Sequence, residues 1–93
     1  MNRTLLDEDQ ITIELKKLDG WSRSGTEVRK TWEFEDFVRA IEFVDSVARV
    51  AEKFNHHPDI DIRWNKVHLT LSTHSAGGLT ILDFTVAKEI EKI

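Results

Sequence analysis

The stretch Glu52-Lys53-Phe54-Asn55-His56-His57-Pro58 divides the chain into two halves, and its reading sets the order of elements on both sides. Pro58 is the only proline among 93 residues. Its ring disfavours helical geometry at the residue before it, so a helix arriving at this point stops and extended chain follows. Two imidazoles, His56 and His57, are thereby carried at a helix-to-strand junction. A third, His74, returns in Thr73-His74-Ser75 about one strand hairpin later. An unperturbed imidazole titrates near pH ~6.5 and can give or take a proton at physiological pH. The grouping suits proton transfer.

Upstream of this stop, Asp36 to Phe54 reads as the longest helix. Its apolar positions, from Phe37 and Ala40 through Val47 to Ala51 and Phe54, cover roughly half the circumference, wider than the ~100° stripe needed to cover one core. The excess, Phe43 and Val50 at the edge of the arc, fits either contact beneath neighbouring loops or a subunit interface. Asn55 is suited to the left-handed conformation that ends a helix.

Before that helix, Trp21-Ser22-Arg23 and Glu27 to Phe34 form an expected hairpin around the Ser24-Gly25 turn signal, with Val28, Trp32 and Phe34 on its apolar side and Lys30 as the exception. A first short helix precedes it. Asp7 and Gln10 have capping-box spacing, Leu6 and Ile11 that of a hydrophobic staple, and Ile11, Leu15 and Leu18 share a face before Asp19-Gly20.

Downstream of Pro58, Ile60, Ile62 and Trp64 alternate with Asp61 and Arg63, Asn65-Lys66 offers a turn, and Val67, Leu69 and Leu71 alternate with His68, Thr70 and Ser72. His68 falls on the polar side and is expected to be exposed. A loop from His74 closes at Gly77-Gly78. Thr80 with Asp83 then repeats the capping-box spacing, and Phe84, Ala87 and Ile90 carry a third helix. The expected fold is a single α+β domain over 1–93, αββαββα, with a four-stranded antiparallel sheet and three helices on one face.

Composition narrows the function classes. The content is 40% hydrophobic and 32% charged, as in a soluble globular chain, and the net charge of −4 argues against direct nucleic-acid binding through the phosphate backbone. There is no cysteine, which excludes a disulfide framework, a thiolate nucleophile and a Cys-based zinc site. No long apolar run is present, so neither a signal peptide nor a membrane span is expected, and the compartment reads as cytoplasmic.

Local spacing leaves several readings of the histidines open. If the long helix persists to Asn55, Glu52 lies one turn before His56 and could orient its ring. Equally, Glu52 is a solvated carboxylate near a helix end and the two histidines are surface residues. Three His ligands could also hold zinc with an open position, although no helical His-x-x-x-His pair is present. The double glycine is better turn chemistry than a phosphate cradle, since no Gly-x-Gly-x-x-Gly or Walker pattern surrounds it.

Taken together, Glu52, His56-His57-Pro58, Trp64, His74 and Asp83 follow the pattern Glu-x3-His-His-Pro-x5-Trp-x9-His-x8-Asp. This resembles the signature of the pterin-4a-carbinolamine dehydratases, whose vertebrate members are also dimerisation cofactors of a homeodomain transcription factor. The words Ala51-Glu52-Lys53, Trp64-Asn65-Lys66-Val67, Leu71-Ser72-Thr73-His74 and Gly78-Leu79-Thr80 extend the likeness over nearly the whole chain. The resemblance implies a hydro-lyase that dehydrates 4a-hydroxytetrahydrobiopterin to the quinonoid dihydropterin, recycling the pterin of aromatic amino acid hydroxylases without metal or organic cofactor. It implies His56 and His74 as the proton-transfer pair and His57 as a pterin holder that shares the acid–base work. Asn55, Ser72, Thr73, His74 and Ser75 would contact substrate, and Glu52 and Asp83 would support the site. Family members often carry an acid directly after the third histidine, where this chain has Ser75. A homodimer or homotetramer is expected, and a protein-interaction role or a molybdopterin-type substrate are the alternatives.

Overall fold

A computed structural model describes residues 3–93. The elements are α1 (Glu8–Lys16), β1 (Ser22–Ser24), β2 (Glu27–Glu33), α2 (Phe37–Phe54), β3 (Asp59–Arg63), β4 (Lys66–Leu71), a 3₁₀ turn (His74–Ala76) and α3 (Ile81–Glu91). This is the α+β order that the hydrophobic pattern predicts. All strand pairs are antiparallel, in the spatial order β1-β2-β4-β3. The two halves therefore join through β2 and β4, with Val28 opposite Leu71 and Trp32 opposite Val67.

Burial follows from that order. Val28 on β2 and Val67, Leu69 and Leu71 on β4 are fully buried, whereas β1 and β3 are edges with mostly exposed side chains. The inward residues of the two central strands share one core with Ile11 of α1, Ala40, Phe43 and Val47 of α2, and Leu82, Phe84, Val86, Ala87 and Ile90 of α3. Helices thus cover one face only. On the other face Arg29, Thr31, Asp59, Asp61, Arg63, His68 and Thr70 line an open concavity of about 510 Å³.

Caps end the helices where the local chemistry predicts. Asp7 and Gln10 close a reciprocal capping box on α1, and Asp36 accepts from Arg39 N at 2.8 Å to start α2. Lys30, the break in the apolar pattern of β2, does point to the helix side. Its ammonium sits 5.0 Å from the Trp32 ring centroid and reaches Glu91 at 2.6 Å and Asp19 O at 2.9 Å. Gly20 makes room for it. A Cβ there would meet Lys30 Cε at 2.9 Å, and φ is +80°.

The fold decides one open reading and corrects two expectations. Phe43 lies beneath its neighbours, 8% exposed and packed on Trp32 and Phe34 at ring-centroid distances of 4.9 and 5.0 Å, and Val50 is partly buried against the same core. The wide apolar arc is absorbed because the hairpin's aromatic residues reach over the side of the helix. The apolar residues that α2 leaves well exposed are instead Phe37 and Val38. Secondly, the β3–β4 turn is Trp64-Asn65, one residue earlier than expected, since Arg63 pairs with Lys66. Asn65 clamps Phe34 twice, donating Nδ2 to Phe34 O at 2.9 Å and accepting Phe34 N at 2.8 Å. Trp64 is forced to φ 54° by that anchor and projects 70% exposed. Thirdly, His68 is half-buried on the open sheet face, its Nδ1 2.7 Å from Thr31 Oγ1.

Candidate active site

The end of α2 sorts the paired histidines. Asn55 takes the left-handed conformation (φ 48°, ψ 45°), and His56 N then reaches back to Ala51 O at 3.0 Å in the 6→1 bond that seals a helix end. The reversal sends His56 inward, where it is 6% exposed, and leaves His57 outside. Glu52 consequently pairs with His57 Nε2 and not with His56. The one-turn register that would have matched Glu52 to His56 requires a helix that continues; here it stops a residue short. The Glu52–His57 pair is exposed on both sides, so it contributes little to stability.

His56 has a different partner, 27 residues on. Its Nε2 lies 2.6 Å from Asp83 Oδ1, and Asp83 is completely buried. The other carboxylate oxygen, Oδ2, accepts Thr80 N at 2.9 Å, which closes the capping box of α3, and accepts the Thr73 hydroxyl at 2.8 Å. Thr73 Oγ1 is also 2.9 Å from Thr80 Oγ1. The start of α3 and the exit of β4 are thus knotted beneath the imidazole that ends α2.

The same Thr73 sets up the third histidine. Its carbonyl accepts Ala76 N and Gly77 N, both at 3.0 Å, and Thr73 pairs with Gly78 across the base of the turn. His74 and Ser75 stand exposed on the 3₁₀ turn so formed, and Gly77 reverses the chain at φ +80°. Ser72, in contrast, spends its hydroxyl on Thr26 O at 2.7 Å, and Thr73 is 1% exposed. Of the seven residues expected to meet a ligand, Asn55, His57, His74 and Ser75 are exposed, while His56, Ser72 and Thr73 are buried.

The two ring nitrogens of His56 differ. Among the described residues, the only buried side-chain polar atom without a partner is Asn65 Oδ1. No hydrogen bond is recorded for His56 Nδ1, which is not among the fully buried unpartnered atoms, while Nε2 faces Asp83. Neither the basin on the open sheet face nor a second concavity of about 310 Å³ between α2 and Ile93 is lined by His56, His57 or His74. Among the described residues no cluster of three or more His, Asp or Glu side chains could hold a metal ion, and no helix is long and apolar enough to cross a membrane.

His56 set against a buried carboxylate, with His57 next to it in the chain and His74 on the turn that Thr73 carries, is a group of side chains able to exchange protons, on an α+β scaffold with helices on one face. The family is explicit in the comparisons. The model of the pterin 4 alpha carbinolamine dehydratase family matches residues 4–93, and this chain belongs to that family. Relatives carrying the name "Putative pterin-4-alpha-carbinolamine dehydratase" include one from Roseiflexus castenholzii, 54% identical over 96% of both chains. Another, from Nocardia farcinica, is 50% identical over 100% of this chain and 98% of its own. A crystal structure from Brucella melitensis, described as a transcriptional coactivator/pterin dehydratase, superposes with a TM-score of 0.89 at 35% identity, covering 94% of this chain and 95% of that one. A pterin dehydratase-like RuBisCO assembly factor of the alpha-carboxysome shares the fold alone, with a TM-score of 0.63 at 19% identity over 77% of this chain and 83% of that one.

Proposed function

We propose that the protein dehydrates 4a-hydroxytetrahydrobiopterin to quinonoid dihydropterin and water, using His56, His74 and His57, and so returns the pterin of aromatic amino acid hydroxylases to use. The buried His56–Asp83 pair carries this reading, because a structural histidine at a helix end would not need a carboxylate held by two further donors. Elimination from a carbinolamine is driven by the adjacent ring nitrogen. The protein has to protonate the departing hydroxyl at C4a and to remove the ring N–H proton. One imidazole in each role is sufficient, and such catalysis contributes about 10²–10⁴-fold. His56, presenting Nδ1, and His74, on the exposed turn, form the proton-transfer pair. His57, Asn55 and Ser75 hold the pterin, and Glu52 steadies His57. The assignment requires no metal or organic cofactor, and the enzyme works in the cytoplasm as a homodimer or homotetramer.

The test is the decay of freshly made 4a-hydroxytetrahydropterin. The wild type should accelerate it, and His56→Ala and His74→Ala should each lose on the order of 10²-fold or more of that acceleration. A wild type that leaves the uncatalysed rate unchanged would remove the enzyme reading. A second reading, a protein-interaction role, draws on the dual description of the Brucella melitensis relative and on the exposed Phe37 and Val38 of α2. It predicts a stable complex that survives His56→Ala and is lost with Phe37→Glu/Val38→Glu, read by light scattering.

A further inference from the structure

We infer that Thr73 is a positioning residue whose buried hydroxyl fixes Asp83, and through it the tautomer of His56. This rests on the proposed dehydratase reading for its catalytic consequence, though not for its structural content.

A threonine hydroxyl has one proton to donate. Thr73 donates it to Asp83 Oδ2 at 2.8 Å, so the 2.9 Å contact between Thr73 Oγ1 and Thr80 Oγ1 takes its proton from Thr80. Thr80 Oγ1 in turn accepts Leu82 N at 3.3 Å. The chain of donors therefore runs one way, from Thr80 to Thr73 to Asp83. Thr80 N adds a second donor to the same oxygen at 2.9 Å. Two donors leave Oδ2 no proton of its own, and the inferred step is that the remaining oxygen, Oδ1, accepts as well, from His56. The proton on that ring sits on Nε2. Nδ1 is left with its lone pair for substrate.

The burial of these groups gives the arrangement its force. Asp83 and Thr80 are fully buried and Thr73 is 1% exposed, so water cannot replace a lost hydroxyl without rearrangement. Without the Thr73 hydroxyl, Oδ2 keeps one donor, Thr80 loses its acceptor, and the carboxyl is free to turn. The His56 ring can then settle in either tautomer. Thr73 also carries the backbone of the His74 turn. One residue thus links the settings of the two proton-transfer histidines, although its own side chain does not reach the substrate.

Two measurements on the full chain test this. Long-range ¹H–¹⁵N correlation spectra of the wild type should show His56, in its neutral form, protonated at Nε2 and not at Nδ1; the opposite tautomer would overturn the inference regardless of any activity. Thr73→Val, which keeps the β-branched shape, should give mixed His56 tautomers. Its kcat for 4a-hydroxytetrahydropterin decay should fall by about 10–100-fold, the scale of losing the outer partner of an oriented histidine, with KM within about two-fold. Thr73→Ser should restore both tautomer and kcat to within about three-fold of wild type. A folded Thr73→Val with unchanged kcat, or with raised KM alone, would overturn the positioning role. Inactivity of the wild type itself would remove the dehydratase reading while leaving the spectroscopic test in place; should Thr73→Val fail to fold, the wild-type tautomer still decides.

Discussion

At the scale of single residues, position in the backbone decides what each side chain can do. Among the described residues, Asn55 and Trp64 are the two non-glycine residues with positive φ, and they hold it for different reasons. Asn55 suits the left-handed region and uses it to turn His56 into the protein. Trp64 does not suit it, and is held there because the next residue, Asn65, is anchored to Phe34 by two hydrogen bonds. A left-handed conformation costs a residue with a Cβ roughly 1–2 kcal/mol, while glycine loses about 0.5–1 kcal/mol of conformational entropy. With the indole 70% exposed, little burial is at stake. Trp64→Gly should therefore be neutral or stabilising by up to about 1 kcal/mol in urea denaturation. A loss beyond about 1 kcal/mol would mean that the ring is covered in the working form of the protein.

At the scale of elements, α1 and α3 are tied by charge. Glu14 on α1 accepts Lys88 of α3 at 2.8 Å and Lys17 at 2.9 Å, with the carboxylate only 13% exposed. Hydrogen bonding to Lys88, then to Lys17, holds its carboxyl below the ordinary value of 4.5, outweighing the opposing effect of burial. The sign follows by linkage. A carboxyl lowered in the folded state contributes stability that is fully present above its unfolded pKa and is lost as pH falls through the folded one. Glu14→Gln should lower stability at neutral pH, and its difference from wild type should shrink once pH drops below about 4.5. Paired urea titrations across pH 3 to 7 would check this. A difference that grows towards low pH would contradict the assignment.

At the scale of the molecule, the aromatic group Trp21–Trp32–Phe43–Phe34 closes the side of the core where the first hairpin meets α2. Phe43→Ala should cost about 3–5 kcal/mol, the usual penalty for emptying an aromatic site, and should do so independently of protein concentration. A concentration-dependent loss would return Phe43 to a subunit interface. Exposed apolar side chains lie elsewhere, among them Phe37 and Val38 on the first turn of α2 and Ile60 on the β3 edge.

Much of this was legible in the chain. The alternation of Val67, Leu69 and Leu71, the half-circumference stripe of α2, the paired capping boxes and the single proline are local signals, and local physics is sufficient to read the αββαββα order from them. The candidate site residues are visible as a spaced pattern, with His56, His74 and Asp83 all in it. Their wiring is not. Spacing along a helix points Glu52 at His56, and capping by itself accounts for Asp83. Pairing β2 with β4 brings the exit of β4 and the start of α3 under the end of α2, and Asp83 then meets an imidazole 27 residues away. Thr73 changes its meaning for the same reason. From the word Ser72-Thr73-His74-Ser75 it looked like one more ligand contact, and the fold buries it. The Glu52-to-Pro58 stretch contains the helix stop and both histidines, but which of them faces Asp83 depends on contacts between parts of the chain far apart in sequence, and these exist only once the sheet has formed.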